Sequence, residues 1–277
     1  MHSRRRFVQL AAAGCATGIP GTSPAGESLR RARPGPDTWA APSATQAAAG
    51  RAALEERVAL HGGRAAWMAL APSCCNLTVD LAPGAKMFLP AMPQVGAGIG
   101  LALDFQADKA RLDFHDPAET CWGYDSLEGW SSEQGRRTYT PARTLERVVR
   151  SIAWYASMPH KLLDPGVLHT VLDRNGEQIA IGFGTVGGQT GDRMWATFAS
   201  DRLIRLRHTA YGISDTILVS AEYDGWEELG TVLLPRRVRV SLEAPVELGN
   251  VQTLTMRDWR LHPSPANLFE KPHSGVR

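Results

Sequence analysis

Hydrophobic and polar side chains alternate in short runs along most of the chain after Pro72. In residues 74–81, CCNLTVDL, the apolar positions Leu77 and Val79 are separated by polar ones. This period of two predicts a half-buried strand. Ten further runs have strand length and are bounded by Gly, Asp, Pro or Asn: LALDFQ, ARLDFHD, ETCWGYD, GVLHTVLD, QIAIGFGTV, RMWATFAS, RLIRLRHT, TILVSAEYD, LPRRVRVSL and QTLTMRDW. The repetition favours an antiparallel meander with one apolar face and one solvated face.

Two segments have a helical period instead. Near residue 50, Leu54 and Val58 share a helical face, with Thr45 as the predicted cap and two glycines as the stop. Residues 144–158 place apolar side chains on one stripe that ends at Pro159. We therefore predict an α+β fold: a strongly curved antiparallel sheet, an unclosed barrel of about ten to eleven strands, with helices packed on its concave face. Other layouts leave one apolar face uncovered.

The N-terminus has the features of an export signal. Arg4 and Arg5 precede a short apolar run in HSRRRFVQLAAAGCATGIPG, an order and spacing that match the twin-arginine signal of bacteria. The run is shorter than the roughly 18–20 residues of a membrane-spanning helix. The sequence thus predicts a periplasmic or cell-envelope protein, exported by the twin-arginine route.

Two processing routes remain open. Small residues before residue 25 fit cleavage by signal peptidase after Ala25. Alternatively, Ala12-Ala13-Gly14-Cys15 resembles a lipobox, in which case Cys15 would be acylated and the protein would be associated with a membrane. Residues 26–50 are rich in Pro, Ala, Gly and Ser, which predicts a disordered tether. The predicted organisation is a signal at 1–25, a tether at 26–50 and one domain at 51–277.

Composition narrows the classes of partner. The chain has 277 residues, 43% of them hydrophobic, and a net charge of +2 with acids and bases interspersed. A single domain of this size can bury a large core, and the mixed charge argues against a nucleic-acid partner. Outside the signal, Cys74, Cys75 and Cys121 allow either a disulfide to Cys121 or three buried thiols.

Motifs of catalysis are missing from the sequence. It contains no GxSxG, HExxH, CxxC or Walker loop, and we interpret the glycine-rich residues 96–104, GAGIGLALD, as a flexible loop. His61 comes at a helix end, where the helix dipole alone favours it. We predict no enzyme activity, no metal and no cofactor. One alternative stays open, an exported enzyme whose site is assembled around Asp164, His160 and His115.

The order of the segments resembles a known family. An N-terminal helix, a long meander, an internal helix leading into MPHKLLDPGV, then YDGWEELGTVLLPRRVRVSL and a closing NLFEKP are similar to the LolA/LolB-like periplasmic lipoprotein carriers over roughly residues 50–272. The resemblance implies an unclosed barrel of about eleven strands with helices in its mouth. It also implies a partner that is a lipid or another hydrophobic small molecule, since studied members carry the acyl chains of lipoproteins.

An apolar concave face would bind such a ligand without any catalytic group, because each buried methylene contributes about 0.8 kcal/mol. The candidate apolar lining residues are Leu77, Val79, Trp154, Tyr155, Val238 and Val240. The polar pair His160 and Lys161, beside the predicted mouth, is the candidate head-group contact. A second alternative is a structural module that binds other envelope proteins through an exposed sheet edge.

Overall fold

The structure is a computed structural model, and some ranges of the chain fall outside its description. It describes residues 43–83, 85, 92, 95–116, 119–125, 128–134, 136–137, 142–163, 167–171, 178–183, 193–199, 202–210, 214–244, 249–262 and 268–270. Arg4, Arg5, Cys15 and Asp164 lie outside these ranges, as do the predicted signal and most of the predicted tether. The predictions made for them stay predictions.

Four helical segments cover the sheet. Helix α1 is Ala44–Ala59, α2 is Gly63–Met68, α3 is Ala142–Ala156, and a 3₁₀ helix follows at His160–Leu163. Ser43 caps α1 in place of the predicted Thr45, since its hydroxyl accepts a hydrogen bond from the Gln46 amide and the Gln46 side chain accepts one from the Ser43 amide. This capping box moves the start of the fold forward, so residues 44–50 of the predicted tether are helical.

The strands follow the predicted alternation closely. They are β1 Ser73–Leu81, β2 Gly96–Asp104, β3 Lys109–Phe114, β4 Thr120–Tyr124, β5 Gly129–Glu133, β6 Arg136–Arg137, β7 Val167–Val171, β8 Gln178–Phe183, β9 Arg193–Ala199, β10 Arg202–Ala210, β11 Ser214–Tyr223, β12 Trp226–Leu229, β13 Val232–Pro235, β14 Arg237–Ala244 and β15 Gly249–Leu261. All eleven predicted strand runs are strands. Strands β5 and β6 extend the sheet beyond the predicted count, and β12 and β13 form a separate hairpin.

The interpretation of residues 96–104 as a flexible loop was wrong. They form β2, which pairs with β1 from Gly96 to Leu103 and with β3 from Ile99 to Asp104. Gly96 and Gly98 have φ angles of 101° and 86°, a region that glycine enters without steric cost. The register with β1 shifts between Leu77 and Val79, opposite this segment. The glycines therefore accommodate an irregular start of a strand and do not break it.

Thirteen strands form one antiparallel sheet in the order β6-β5-β4-β3-β2-β1-β15-β14-β11-β10-β9-β8-β7. Strands β6 and β7 follow each other along the chain but stand at opposite edges of the sheet. The connection between them is α3 and the 3₁₀ helix, which must therefore cross the face of the sheet. The sheet is not closed, as predicted, and helices lie across its opening.

The contacts of α3 require that the sheet is strongly curved. Near its centre, the Arg150 guanidinium lies 5.1 Å from the centroid of Tyr124 in β4. Five residues later, about 7.5 Å along a helix, the Tyr155 hydroxyl lies 3.2 Å from Nε2 of His208 in β10. Strands β4 and β10 are third and tenth in the sheet, so a flat sheet would separate them by about 34 Å. The two halves of the sheet thus curl around α3, as predicted.

The three cysteines of the domain are free and buried. Strand β1, with Cys74 and Cys75, and strand β4, with Cys121, are three spacings apart, about 14 Å, whereas a disulfide needs Cα atoms within about 7 Å. Burial raises the pKa of the Cys75 thiol well above its usual value and also raises that of Cys121. The alternative of three buried thiols is the one that the structure shows.

Candidate ligand-binding face

The predicted lining residues on the strands form one continuous apolar surface. Tyr223 in β11 pairs with Val238 in β14, Val238 with Leu254 in β15, and Leu254 with Val79 in β1. All four side chains are buried, and they belong to the same cluster as Leu77 and Val240. The structure thus brings the four predicted strand residues together on the helix-covered face of the sheet.

The opposite face is charged. Arg205, Arg207 and Arg239 form ion pairs with Glu222 and Glu243 across β10, β11 and β14. Their partial exposure makes this a solvated network, in which each pair contributes little to stability. The two faces of the same strands therefore have opposite polarity, and only the helix-covered face can receive an apolar ligand.

Trp154 and Tyr155, at the end of α3, contact a buried histidine of the sheet. The Tyr155 hydroxyl lies 3.2 Å from Nε2 of His208, and the Trp154 ring meets the His208 ring edge-on with centroids 5.6 Å apart. The Tyr223 hydroxyl donates to the Tyr155 carbonyl at 3.5 Å. These contacts attach the C-terminal end of α3 to the far half of the sheet.

The electrostatics of this contact come from burial. Desolvation lowers the pKa of His208 to about 4, so its ring is neutral at pH 7. Burial, followed by the neighbouring Tyr155, raises the pKa of Tyr223 well above its usual value. Nδ1 of His208 is buried and has no hydrogen-bond partner among the residues that the structure describes. His208 and the two tyrosines therefore form a small, uncharged polar site on an otherwise apolar face.

His61 has a structural role at the end of α1, as the helix-dipole argument favoured, and the contacts specify it. Its Nδ1 lies 3.0 Å from the Arg57 carbonyl, and its Nε2 accepts a hydrogen bond from the Leu203 amide at 3.3 Å. Because one ring nitrogen faces a carbonyl and the other faces an N–H, the ring is held as the neutral Nδ1–H tautomer. Leu203 adjoins a register shift between β9 and β10, so His61 satisfies an amide at an irregular point of the ladder.

Gly62 explains why glycine follows this histidine. It has a φ of 102°, and a Cβ at this position would lie 2.3 Å from the Thr231 carbonyl oxygen. The β12–β13 hairpin approaches here, with the Leu233 amide donating to the His61 carbonyl at 3.0 Å. Glycine is required for both its backbone conformation and the close approach of the hairpin.

The candidate head-group residues occupy two different environments. His160 is fully buried and stacks on Trp67 of α2, with ring centroids 5.1 Å apart and planes 15° apart. Lys161 is largely buried, and its ammonium pairs with the carboxylate of Asp108 in the turn between β2 and β3. His115, proposed for the alternative enzyme site, is exposed at the end of β3. The head-group role of His160 and Lys161 stays a prediction.

Sequence reasoning missed three residues of this face: Trp67, His208 and Arg150. A signal for His208 was present, because RLIRLRHT places it in phase with the buried Leu206. Arg150 is buried on α3 over Tyr124, although arginine usually marks the solvated face of a helix. Trp67 lies in the short helix that follows Gly62, where no period can be read.

Two further properties concern cofactors and membranes. In the described ranges, no group of three or more His, Cys, Asp or Glu side chains is arranged to hold a metal ion. Of the helices that the structure describes, none combines the length and the hydropathy that crossing a membrane requires.

Comparison with known proteins gives similarities of fold. Neither a family model nor a curated protein matches the sequence. A LolA superfamily protein from Nitrosomonas europaea is similar in structure at 11% identity and a TM-score of 0.46, over 80% of this chain and 97% of that one. A DUF1329 family protein from Desulfovibrio piger is similar at 11% identity and a TM-score of 0.48, over 84% of this chain and 99% of that one. No residue role is transferred from these structures to this chain.

Proposed function

We propose that this chain is an exported cell-envelope protein that binds a lipid or another hydrophobic ligand between the concave face of its sheet and the helices that cover it. The observation that supports the proposal is the continuous apolar surface from β11 to β1, inside a sheet that curls but does not close. A closed barrel of this kind would fill its interior with its own side chains. Here helices, and not further strands, complete the interior.

The helix that covers the sheet presents alkyl side chains to it, which are chemically similar to an acyl chain. Leu145, Val149 and Ile152 of α3 are fully buried against the sheet. An acyl chain that took their place would restore the apolar contact at about 0.8 kcal/mol per methylene, which totals on the order of 10 kcal/mol for a long chain before the cost of association. When a ligand takes the place of the helix, the apolar face of the sheet therefore stays covered.

Lipid that remains bound during purification is the first test. Protein prepared from a bacterial host without detergent is examined by native mass spectrometry, and the bound molecules are then identified after solvent extraction. We expect discrete adducts of lipid mass. A preparation that is folded by near-ultraviolet circular dichroism and carries no adduct, and that also fails to bind an added acyl probe, would contradict the proposal.

A matched pair of variants on β14 tests the location of the ligand. Val240→Thr introduces a hydroxyl on the concave face at nearly constant volume, whereas Ser241→Thr introduces the same residue on the opposite face. An unpaired hydroxyl in an apolar environment costs at least about 1 kcal/mol. We expect Val240→Thr to weaken binding about five-fold and Ser241→Thr to leave it unchanged. Equal effects of the two variants would place the ligand elsewhere.

Export is tested separately from binding. Replacing Arg4 and Arg5 by lysine should retain the protein in the cytoplasm if the twin-arginine route is used. Labelling with radioactive palmitate in the intact chain, and its loss in Cys15→Ser, would identify a lipid anchor. Export that survives the double substitution would remove the twin-arginine part of the proposal and leave ligand binding untouched.

A further inference from the structure

Trp67 and His160 expose hydrogen-bonding groups to the interior that no protein atom satisfies. Within the described part of the chain, Nε1 of Trp67 and both ring nitrogens of His160 are buried and make no hydrogen bond of normal geometry. The two side chains are 1% and 0% exposed, and their rings stack with planes 15° apart. More than nine in ten buried polar groups in proteins are paired. Three unpaired atoms in a single ring stack therefore indicate a partner that binds there.

The neighbouring groups do not supply that partner. Phe105 packs against Trp67 at a centroid distance of 4.9 Å and has no polar atom. The His61 ring lies edge-on to His160 at 6.5 Å, and its two nitrogens already face the Arg57 carbonyl and the Leu203 amide. A backbone group of Leu233 favours the protonated form of His160, but it does not reach normal hydrogen-bond geometry with either ring nitrogen.

The missing partner must be mainly an acceptor and must be uncharged. The indole N–H of Trp67 can only donate, and a neutral imidazole offers one donor and one acceptor. Burial is the main cause that lowers the pKa of His160 to about 3, so the ring provides no positive charge at pH 7. Arg64, which also acts on His160, is half-buried at the N-terminal end of α2. A carboxylate placed against the ring stack would lack a buried counter-charge.

We propose that Trp67 and His160 bind the uncharged ester carbonyl of an acylated ligand whose chain lies on the apolar concave face. The proposal rests on the proposed function and adds the chemical class of the ligand. Trp67 belongs to the same buried cluster as Leu77 and Val79, so the ring stack and the concave face of the sheet are parts of one apolar interior. The ester oxygen accepts from the indole N–H and from the donor nitrogen of the imidazole.

Two probes with the same number of carbon atoms test the inference, namely methyl decanoate and undecane, each delivered from a cyclodextrin stock. The measurement is a titration of ¹⁵N-labelled protein, with the indole N–H resonance of Trp67 assigned through Trp67→Phe. We expect the ester to bind about ten-fold more tightly than the alkane, the ratio expected for one to two net hydrogen bonds. The ester should also move the Trp67 indole resonance downfield, and the alkane should not.

The variants Trp67→Phe and His160→Phe keep the ring stack and remove the polar atoms. In each, the preference for the ester should fall toward one while binding of undecane persists. Because the indole shift is measured in the unaltered protein, the test needs a folded Trp67→Phe variant only to assign that one resonance.

The remaining outcomes separate the two proposals. Equal binding of the two probes with an unmoved indole resonance would overturn the inference, leave hydrophobic binding intact, and assign the unpaired atoms to internal water. Tighter binding of decanoate than of its methyl ester would overturn it in favour of a charged ligand. Failure of both probes to bind would overturn both the inference and the proposed function.

Discussion

Acidification from pH 7.5 to pH 5 should destabilise the fold through His160 and His208. Burial lowers the pKa of His160 to about 3 and of His208 to about 4, whereas an unfolded histidine titrates near 6.5. Below pH 6.5 the unfolded chain therefore binds more protons at these positions than the folded chain. Stability is constant above the unfolded pKa and falls as the pH decreases, until the folded pKa values are reached.

The magnitude follows from the same values. At pH 5 each unfolded histidine is almost fully protonated while each buried ring stays neutral, so each contributes a loss of about 2 kcal/mol. Together the two rings lower the free energy of unfolding by about 4 kcal/mol, a large part of the 5–15 kcal/mol that is typical of a domain. Ordinary carboxylates titrate mostly below this window, so the interval from pH 7.5 to 5 isolates the histidines.

Urea unfolding followed by tryptophan fluorescence at pH 7.5, 6.5, 5.5 and 5.0 measures the effect. In His160→Phe and in His208→Leu the loss between pH 7.5 and 5 should shrink by about half, whatever the stability of the variant at pH 7.5. A free energy of unfolding that is flat over this range would refute the reasoning. So would a slope that persists unchanged in both variants.

Three further substitutions test the packing. Gly62→Ala should lower the free energy of unfolding by about 2–5 kcal/mol, because it combines a left-handed backbone with a Cβ 2.3 Å from the Thr231 carbonyl oxygen; a thermal midpoint within a degree of the parent would contradict this. Gly123→Ala would place a Cβ 2.1 Å from the Trp130 ring, so we expect a loss of about 1–3 kcal/mol and an altered near-ultraviolet circular dichroism spectrum. Lys161→Met removes an ion pair to a partly exposed carboxylate and should change the free energy of unfolding, measured with urea, by less than about 1 kcal/mol; a larger loss would show that the pair holds the 3₁₀ helix in place.

The sequence predicted eleven of the thirteen strands of the sheet, including the fully buried β4, and missed β5 and β6. In β5, Ser131 and Ser132 are buried beside Trp130, so hydrophobic and polar residues do not alternate and the period of two disappears. The curvature was predictable only as the way to cover an apolar face. The degree of curvature is seen in the contacts of α3 with both β4 and β10. These contacts join residues far apart in the chain, such as Tyr155 and His208, which are 53 positions apart.

The residues of the candidate site also differ in whether the sequence alone could predict them. Alternation identified Leu77, Val79, Val238 and Val240 because an apolar face is a local property of each strand. The polar rings were not identifiable in this way, since a histidine in an apolar phase has the same local pattern whether it is satisfied or not. Only the fold shows that both ring nitrogens of His61 face backbone groups. Among the described residues, neither ring nitrogen of His160 has a hydrogen-bond partner of normal geometry.

This difference between histidines suggests where specificity resides. The strands of the concave face offer mostly alkyl groups, which bind any apolar chain with similar free energy per methylene. Trp67 and His160, in contrast, lie on the helical segments, and under the proposal their hydrogen-bonding groups would discriminate between ligands that have the same chain. If the proposed ligand binds, the sheet would provide the affinity for the acyl chain and the helical segments would determine which head groups are accepted. Exchanging the cover, with the sheet unchanged, should change ligand preference more than affinity for the chain.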